Sequence, residues 1–351
     1  MSRPRVRVLA VGDHFIPATA YAAALGELLP EAEVRTVQWA GTKGEQHAEQ
    51  QVMEWRGPDA VRVPAEVLAA VCDVDVLAVH FAPVPQAVFA AAPRLRAVVV
   101  ARAGVENVDV SAATGRGVAV VNVAGRNASA VAELALGLML AEARSIARAY
   151  ADIAAGGWRK EFVHSGHEVG GSTVGMVGFG HVGRELAARL SGFATRLLVA
   201  DPYVDDAQLE HYGARRVDLD TVFREADFVH VQARLTPETE RFIGRAQLAL
   251  MKPSAYFVNT ARSRLVDYQA LYEALAERRI AGAALDVYDE EPLPPDSPWR
   301  RLDNVTLTPH YGGDTVTTNE RSARLVAEAV VELVGSGRCR TAVNAADLGW
   351  A

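Results

Sequence analysis

The chain has 351 residues, half of them apolar and 23% charged, which suits about two domains at roughly 150 residues each and is too apolar for a disordered chain. A net charge of −7 with scattered arginines argues against a nucleic-acid or anionic-membrane surface. Two distant cysteines, Cys72 and Cys339, exclude a disulfide framework or zinc knuckle, and no metal site is expected.

From the N-terminus, the apolar run Val6–Val11 ends soon at Asp13. It is too short for a signal peptide or a spanning helix, so a cytoplasmic protein without a membrane partner is expected. Valine-rich runs follow at Val34–Val37, Val74–Val79, Ala97–Val100 and Val118–Val121, with Cys72 expected as a small buried hydrophobe. A second series comprises Thr173–Val177, Arg196–Ala200, Phe228–Gln232, Ala255–Asn259, Ala283–Val287 and Val305–Leu307. Continuous apolar strands alternating with helical stretches predict parallel sheets covered on both faces, hence two α/β domains with a break between residues 125 and 170. Between the series, Ala128 to about Arg148 reads as one long helix capped by Asn127. Apolar residues surround it, which predicts burial between domains or at a dimer interface. Glu290-Glu-Pro-Leu-Pro-Pro-Asp296 reads as a rigid surface loop.

The strongest local signal is Thr173-Val-Gly-Met-Val-Gly178-Phe-Gly180-His-Val-Gly183, an apolar strand entering G-x-G-x-x-G ahead of a helix. Gly178 makes the tight turn, Gly180 lets backbone N–H groups approach a pyrophosphate, and Gly183 permits close helix–strand packing. The next strand ends at Asp201, 18 residues after Gly183, near where a ribose hydroxyl is bound. A carboxylate there repels a 2′-phosphate, so NAD is favoured over NADP. Asp201-Pro202 could equally start a turn, and a methyltransferase could share this glycine–acid layout.

Ligands of open parallel sheets bind beyond the carboxyl ends of the strands. The later exits carry Gln232, then Thr260-Ala-Arg262, then Asp286, then Thr308-Pro-His310, with Glu291 on the loop after Asp286. Taken singly, Arg262 could pair with Asp267, Glu291 could be solvated, Asp286 could cap a turn and His310 could be a turn residue. Together they suit one chemistry. Arginine holds a carboxylate by two parallel hydrogen bonds, histidine exchanges a proton with a hydroxyl or carbonyl, and a glutamate fixes its tautomer. With a nicotinamide exchanging hydride, this is interconversion of a 2-hydroxy acid and a 2-oxo acid.

At these residues the chain resembles the D-2-hydroxyacid dehydrogenases, the family of phosphoglycerate dehydrogenases, glyoxylate reductases and formate dehydrogenases. The likeness lies in Asn107-Val-Asp109, Ala112-Ala-Thr-Gly-Arg-Gly-Val, the glycine turn, Leu235-Thr-Pro-Glu-Thr239 and Met251 to Arg262. It continues through Ala281-Gly-Ala-Ala-Leu-Asp286-Val, Glu291-Pro292 and Asn304-Val-Thr-Leu-Thr-Pro-His310-Tyr-Gly-Gly313. The resemblance implies an α/β fold of two doubly wound parallel-sheet domains, a Rossmann NAD domain (127–315) inserted into a flavodoxin-like substrate domain (1–126 and 316–351). It implies Arg262, Glu291 and His310 as catalytic residues. Gly178, Gly180, His181, Val182, Gly183, Asp201, Thr260, Asp286 and Gly312 would hold the cofactor, with Asp286 at the nicotinamide carboxamide. Arg102, Ala103, Gly104, Arg262 and Tyr311 would meet the acid. A homodimer through the Rossmann domain and the 128–148 helix is implied as well.

Several departures bear on the substrate. The glycine-rich loop shortens to Arg102-Ala-Gly104-Val-Glu-Asn, Gln232 stands where many members have His, and Arg234 where many have Pro. Tyr311 and Asp314 flank the glycine pair after His310. His80-Phe-Ala-Pro83 replaces an Arg-Ser pair of phosphoglycerate dehydrogenases, which argues against 3-phosphoglycerate, while Arg102 and Arg126 lie on loops that could meet an anionic tail. The resulting expectation is an NAD-dependent D-2-hydroxyacid dehydrogenase of small 2-hydroxy or 2-oxo acids, a specialised phosphonate or sugar-derived acid included. The alternative is a non-catalytic NAD(H)-binding regulator on the same fold, which has no need of Arg262, Glu291 and His310 together.

Overall fold

The structure, a computed structural model, describes residues 5–39, 41–162 and 166–350. The chain forms two compact units, one of the residues up to Arg126 with those from Asp314 onward, the other Asn127–Gly313. The second crossing falls two residues before the expected 315/316. Asp314 turns back into the first unit, where it pairs with Lys43 and accepts from Asn319 Nδ2 at 3.4 Å, and Thr315 caps the last helix through the Thr318 N–H.

In the first unit, β1 (Arg7–Gly12), β2 (Glu33–Gln38), β3 (Val76–Val79), β4 (Ala97–Val100) and β5 (Ala119–Asn122) form a sheet of order β2-β1-β3-β4-β5. Every pairing is parallel, and the order is that of the flavodoxin-like doubly wound sheet. Alternate residues of each apolar run serve opposite cores. Leu9, Leu77 and Val98 face one, while Val8, Ala78 and Val99 face the other, shared with helices Ala18–Leu28 and Val316–Ser336. Two-sided burial is why these strands read as unbroken apolar runs. Cys339 is buried, but Cys72 is exposed in the turn after helix Ala65–Ala70. Its apolar neighbours Val71 and Val74 take the core positions instead.

In the second unit, β6 (Thr173–Val177), β7 (Arg196–Ala200), β8 (Ala214–Arg216), β9 (Phe228–Val231), β10 (Tyr256–Asn259), β11 (Gly282–Leu285) and β12 (Val305–Leu307) pair in the order β12-β11-β10-β9-β6-β7-β8, all parallel. This is a Rossmann sheet with one added strand, and its order reverses at β6/β9. The edge strand β8 was not anticipated, since its arginines are exposed and it has no apolar run.

The long helix differs from expectation. It runs Ala128–Ala143, breaks at Ser145 in left-handed backbone (φ 51°), and restarts as Ile146–Ala154. The break lets Arg148 fold back over Glu142, a buried carboxylate that accepts from Arg148 Nη1 at 3.1 Å, Arg148 Nη2 at 3.0 Å and Thr306 Oγ1 at 2.6 Å. Glu142 also explains Gly282 in β11, because a Cβ there would land on the Glu142 carboxylate. Asn127 starts the helix without a side-chain cap; its amide lies against Gly313 instead. The helix is buried on one face only. Val131, Ala135 and Leu138 enter the core, while Leu134, Leu136 and Leu140 stay half-buried.

Removing one partner strands a buried charge, which costs about 3–5 kcal/mol. Arg148→Ala is therefore expected to lower stability by ~3 kcal/mol, read as a fall in the urea midpoint, because Glu142 stays inside the sheet–helix core.

Candidate active site

The cofactor cradle is built from β6 outward. Gly178 follows the strand in left-handed backbone (φ 94°), and a Cβ there would come within 2.6 Å of the Ala233 nitrogen. Only glycine allows the turn to press against the β9 exit. Gly180 faces open space and starts helix His181–Leu190 with no side-chain cap. The first N–H groups of that helix, on His181, Val182 and Gly183, thus suit an anion. Asp201, at the end of β7, accepts from Phe179 N at 2.7 Å and Tyr203 N at 2.8 Å. It starts a turn, as the second reading had it, and also fastens the glycine loop. The donor set fits a dinucleotide, with the pyrophosphate on the helix start and the acidic group at the β7 end.

The next exits adjoin one another in the sheet. After β10, Asn259 accepts from Ala261 N at 3.0 Å and donates to Arg262 O at 3.1 Å. This ties off the turn that carries exposed Arg262, whose Nη1 donates to Ala261 O at 2.8 Å. Asp267, considered as an Arg262 partner, instead caps helix Tyr268–Ala276. Asp286 follows β11, nearly fully buried, and accepts from Thr308 Oγ1, Tyr311 N and Gly312 N. His310 follows β12 in left-handed backbone (φ 52°). Its Nδ1 lies 2.7 Å from Glu291 Oε2, and Glu291 Oε1 accepts from Tyr288 N at 2.9 Å. That carboxylate fixes the tautomer with the proton on Nδ1 and aims the ring. Tyr311 is 45% exposed beside it.

Sequence reasoning placed Gln232 at the β9 exit but missed its partner His230 within the strand. Gln232 Nε2 donates to Thr260 Oγ1 at 2.8 Å and to His230 Nδ1 at 2.9 Å. His230 is fully buried inside the sheet, and that burial pushes its pKa down to about 3. A histidine two residues before Gln232, in an otherwise apolar strand, was the available signal.

In the first unit, the loop after β4 places Ala103 and Gly104 at the surface, but Arg102 is buried. Its guanidinium meets Glu54 at 2.9 Å and Glu106 at 3.1 Å and lies over the Phe81 ring. Arg126, the other arginine considered for an anionic tail, is also inside. It donates to Ser322 Oγ at 3.0 Å and to His80 Nε2 at 2.9 Å, and His80 Nδ1 donates to Asp13 at 2.9 Å. Burial, then the nearby Arg102 charge, pushes Arg126 down to about 10; burial pushes His80 down to about 4 against the pull of Asp13.

Residues 136–312 match the family model of the D-isomer specific 2-hydroxyacid dehydrogenase, NAD binding domain. The chain belongs to this family. It is 41% identical over 282 residues to the D-3-phosphoglycerate dehydrogenase of Methanocaldococcus jannaschii, covering 80% of this chain and 53% of that one. It is 37% identical to the glyoxylate reductase of Korarchaeum cryptofilum over 83% of this chain and 88% of that one. The crystal structure of a glyoxylate reductase from Paecilomyes thermophila superposes with a TM-score of 0.75 at 26% identity, covering 97% of this chain and 99% of that one. The chain thus spans about half the length of the phosphoglycerate dehydrogenase and most of the two glyoxylate reductases. As a member of this dehydrogenase family it carries the NAD-binding domain within its Rossmann unit. Among the described residues no helix is long and apolar enough to cross a membrane.

The depressed His230 value sets a pH dependence. The unfolded chain takes up this proton near 6.5, whereas the folded chain resists down to about 3. Stability is therefore complete above 6.5 and falls by ~1 kcal/mol per pH unit as pH drops toward 3. His230→Asn is expected to flatten the fall in Tm between pH 6.5 and 5.

Proposed function

We propose that this chain interconverts a D-2-hydroxy acid and its 2-oxo acid with NAD as cofactor. The observation that carries the reading is the 2.7 Å contact between His310 Nδ1 and Glu291, on a loop that Asp286 ties to the exit neighbouring that of Arg262. Bound NAD(H) supplies or accepts the hydride at C2. Arg262 holds the carboxylate with two parallel hydrogen bonds and polarises the C2 oxygen. In reduction, His310 gives its Nε2 proton to that oxygen as the hydride arrives; in oxidation it takes the proton back. Glu291 keeps the Nδ1 proton in place through both directions.

In this reading Gly178, Gly180, His181, Val182 and Gly183 hold the pyrophosphate and Asp201 the adenosine ribose. Thr260, Asp286 and Gly312 serve the nicotinamide end, with Thr260 oriented by Gln232. NAD is preferred to NADP because the Asp201 carboxylate stands where a 2′-phosphate would have to sit. The flanking unit is the substrate domain, and its loop at Arg102, Ala103 and Gly104 meets the acid, Arg102 on the side of its tail; Tyr311 lies beside His310. Two free thiols suit a reducing compartment, here the cytoplasm.

His310→Asn is expected to lower kcat by ~100- to 10,000-fold in an NADH oxidation assay at 340 nm with a panel of 2-oxo acids, NADH binding being retained. Arg262→Lys should not restore what Arg262→Ala loses, since lysine makes no bidentate contact. Full turnover in His310→Asn would remove the proposed acid/base, and silence across the panel with NADH bound would favour a regulator.

The chain is further proposed to be a homodimer through the Rossmann unit. Ile146, Tyr150 and Ile153 line one face of helix Ile146–Ala154 at 54%, 75% and 57% exposure, with Trp158 at 76% just beyond. Such an apolar stripe on a helix with no buried residue calls for a partner. Tyr150→Glu with Ile153→Glu should halve the mass seen by light scattering; an unchanged mass would move the interface elsewhere.

A further inference from the structure

The named relatives divide between a phosphorylated substrate and small unphosphorylated ones, so the tail is the open property of this chain. The loop Arg102–Gly104 and the groups packed around it carry the relevant charges. The Arg102 side chain is only 8% exposed, and its Nη2 is shared by Glu54 of helix Lys43–Arg56 and by Glu106 of its own loop. Gln50 donates to the same Glu54 oxygen, and the guanidinium stacks 5.3 Å over Phe81. Glu106 also crowds the loop backbone, because a Cβ on Gly104 would land on its carboxylate. One guanidinium against two carboxylates leaves this cluster with one net negative charge.

Two further cations of the same unit, Arg126 and Lys43, are engaged as well. Arg126 is held by His80 and Ser322. Lys43 pairs with Asp314 and lies over the Phe15 ring. Phe15 packs edge-on to Phe81 at 5.0 Å, and His80 stacks on Phe81 at 3.8 Å. A phosphate approaching the loop would have to pull Arg102 from a charge-assisted hydrogen bond to Glu54 and an ion pair with Glu106, and leave both carboxylates beside its own charge. A hydroxyl or hydrocarbon tail meets aromatic edges and asks for none of this.

We propose that the Arg102–Glu54–Glu106 cluster selects 2-oxo acids whose tail carries no second negative charge, and rejects phosphorylated or phosphonylated ones. The proposal rests on the reading of this chain as a 2-hydroxyacid dehydrogenase whose Arg102–Gly104 loop meets the tail. Arg102 is then a positioning and charge-balancing residue rather than an anion receptor.

The test is the rate of NADH oxidation with hydroxypyruvate against 3-phosphohydroxypyruvate, which share a carbon skeleton and differ by the phosphate. We expect kcat/KM to favour the uncharged acid by ~100-fold, as like-charge juxtaposition in an interface implies. Glu54→Gln and Glu106→Gln should each raise the phosphorylated-to-unphosphorylated ratio by ~10-fold. The ratio is taken within one preparation, so partial loss of folded protein does not move it. Equal or better use of the phosphorylated acid by the unmodified chain would overturn the proposal, as would a ratio unmoved in both variants. Turnover of neither acid would count against the dehydrogenase reading instead. The cluster is then read from the rise in Tm with NADH plus D-glycerate or 3-phospho-D-glycerate, where greater stabilisation by the phosphorylated acid overturns it and greater stabilisation by D-glycerate supports it.

Discussion

Asp286 leaves the sheet at the end of β11 with both carboxylate oxygens engaged. Oδ1 accepts from Thr308 Oγ1 at 2.7 Å and Tyr311 N at 3.2 Å, and Oδ2 accepts from Gly312 N at 3.0 Å. The three donors bracket His310, so a single buried carboxylate sets the path of the segment that carries the candidate acid/base. Hydrogen bonds to a charged acceptor contribute about 1.5–3 kcal/mol each, enough to hold His310 in the left-handed backbone it adopts. Tyr288 reinforces the arrangement from the same exit, its hydroxyl donating to Leu285 O and Thr308 O, both at 2.9 Å. Glu291 then closes the loop onto the imidazole. His310 is thus positioned by the β11 exit as much as by its own strand, and Asp286 has a structural duty of its own.

The glycine turn and the polar strand exits were legible because their signals are local. An apolar run followed by G-x-G-x-x-G describes β6, its turn and its helix within eighteen residues of sequence. The strands at Ala97–Val100, Thr173–Val177, Arg196–Ala200 and Val305–Leu307 match residue for residue, since two-sided burial makes each a valine- or leucine-rich run with clear ends. What escaped depends on distant partners. The helix break at Ser145 serves Glu142, whose other contacts are on β12 and at Gly282 of β11; nothing between 128 and 148 announces it. Arg102 looks like a loop cation until Glu54, 48 residues earlier, is brought beside it. Cys72 sits among apolar residues yet occupies a turn position that faces water.

The departures from the family pattern fall into two linked sets, each internally balanced. At the β9 exit, Gln232 stands where many members have histidine, and a histidine two residues earlier, His230, accepts from it inside the sheet. The ring is out of reach of solvent, and the amide also makes the contact with Thr260. In the flanking unit, His80 and Phe81 stand where phosphoglycerate dehydrogenases carry Arg-Ser. His80 is locked as the neutral Nδ1–H tautomer between Asp13 and Arg126, because a guanidinium can only donate to Nε2. Asp13 in turn accepts from Phe15 N and Ile16 N. A buried carboxylate, a neutral imidazole and a buried guanidinium bond to one another in a row. Buried polar chains of this kind are costly when half satisfied, so Asp13, His80 and Arg126 make physical sense only as a set. That set links Asp13, His80, Arg126 and Ser322 in one buried polar network.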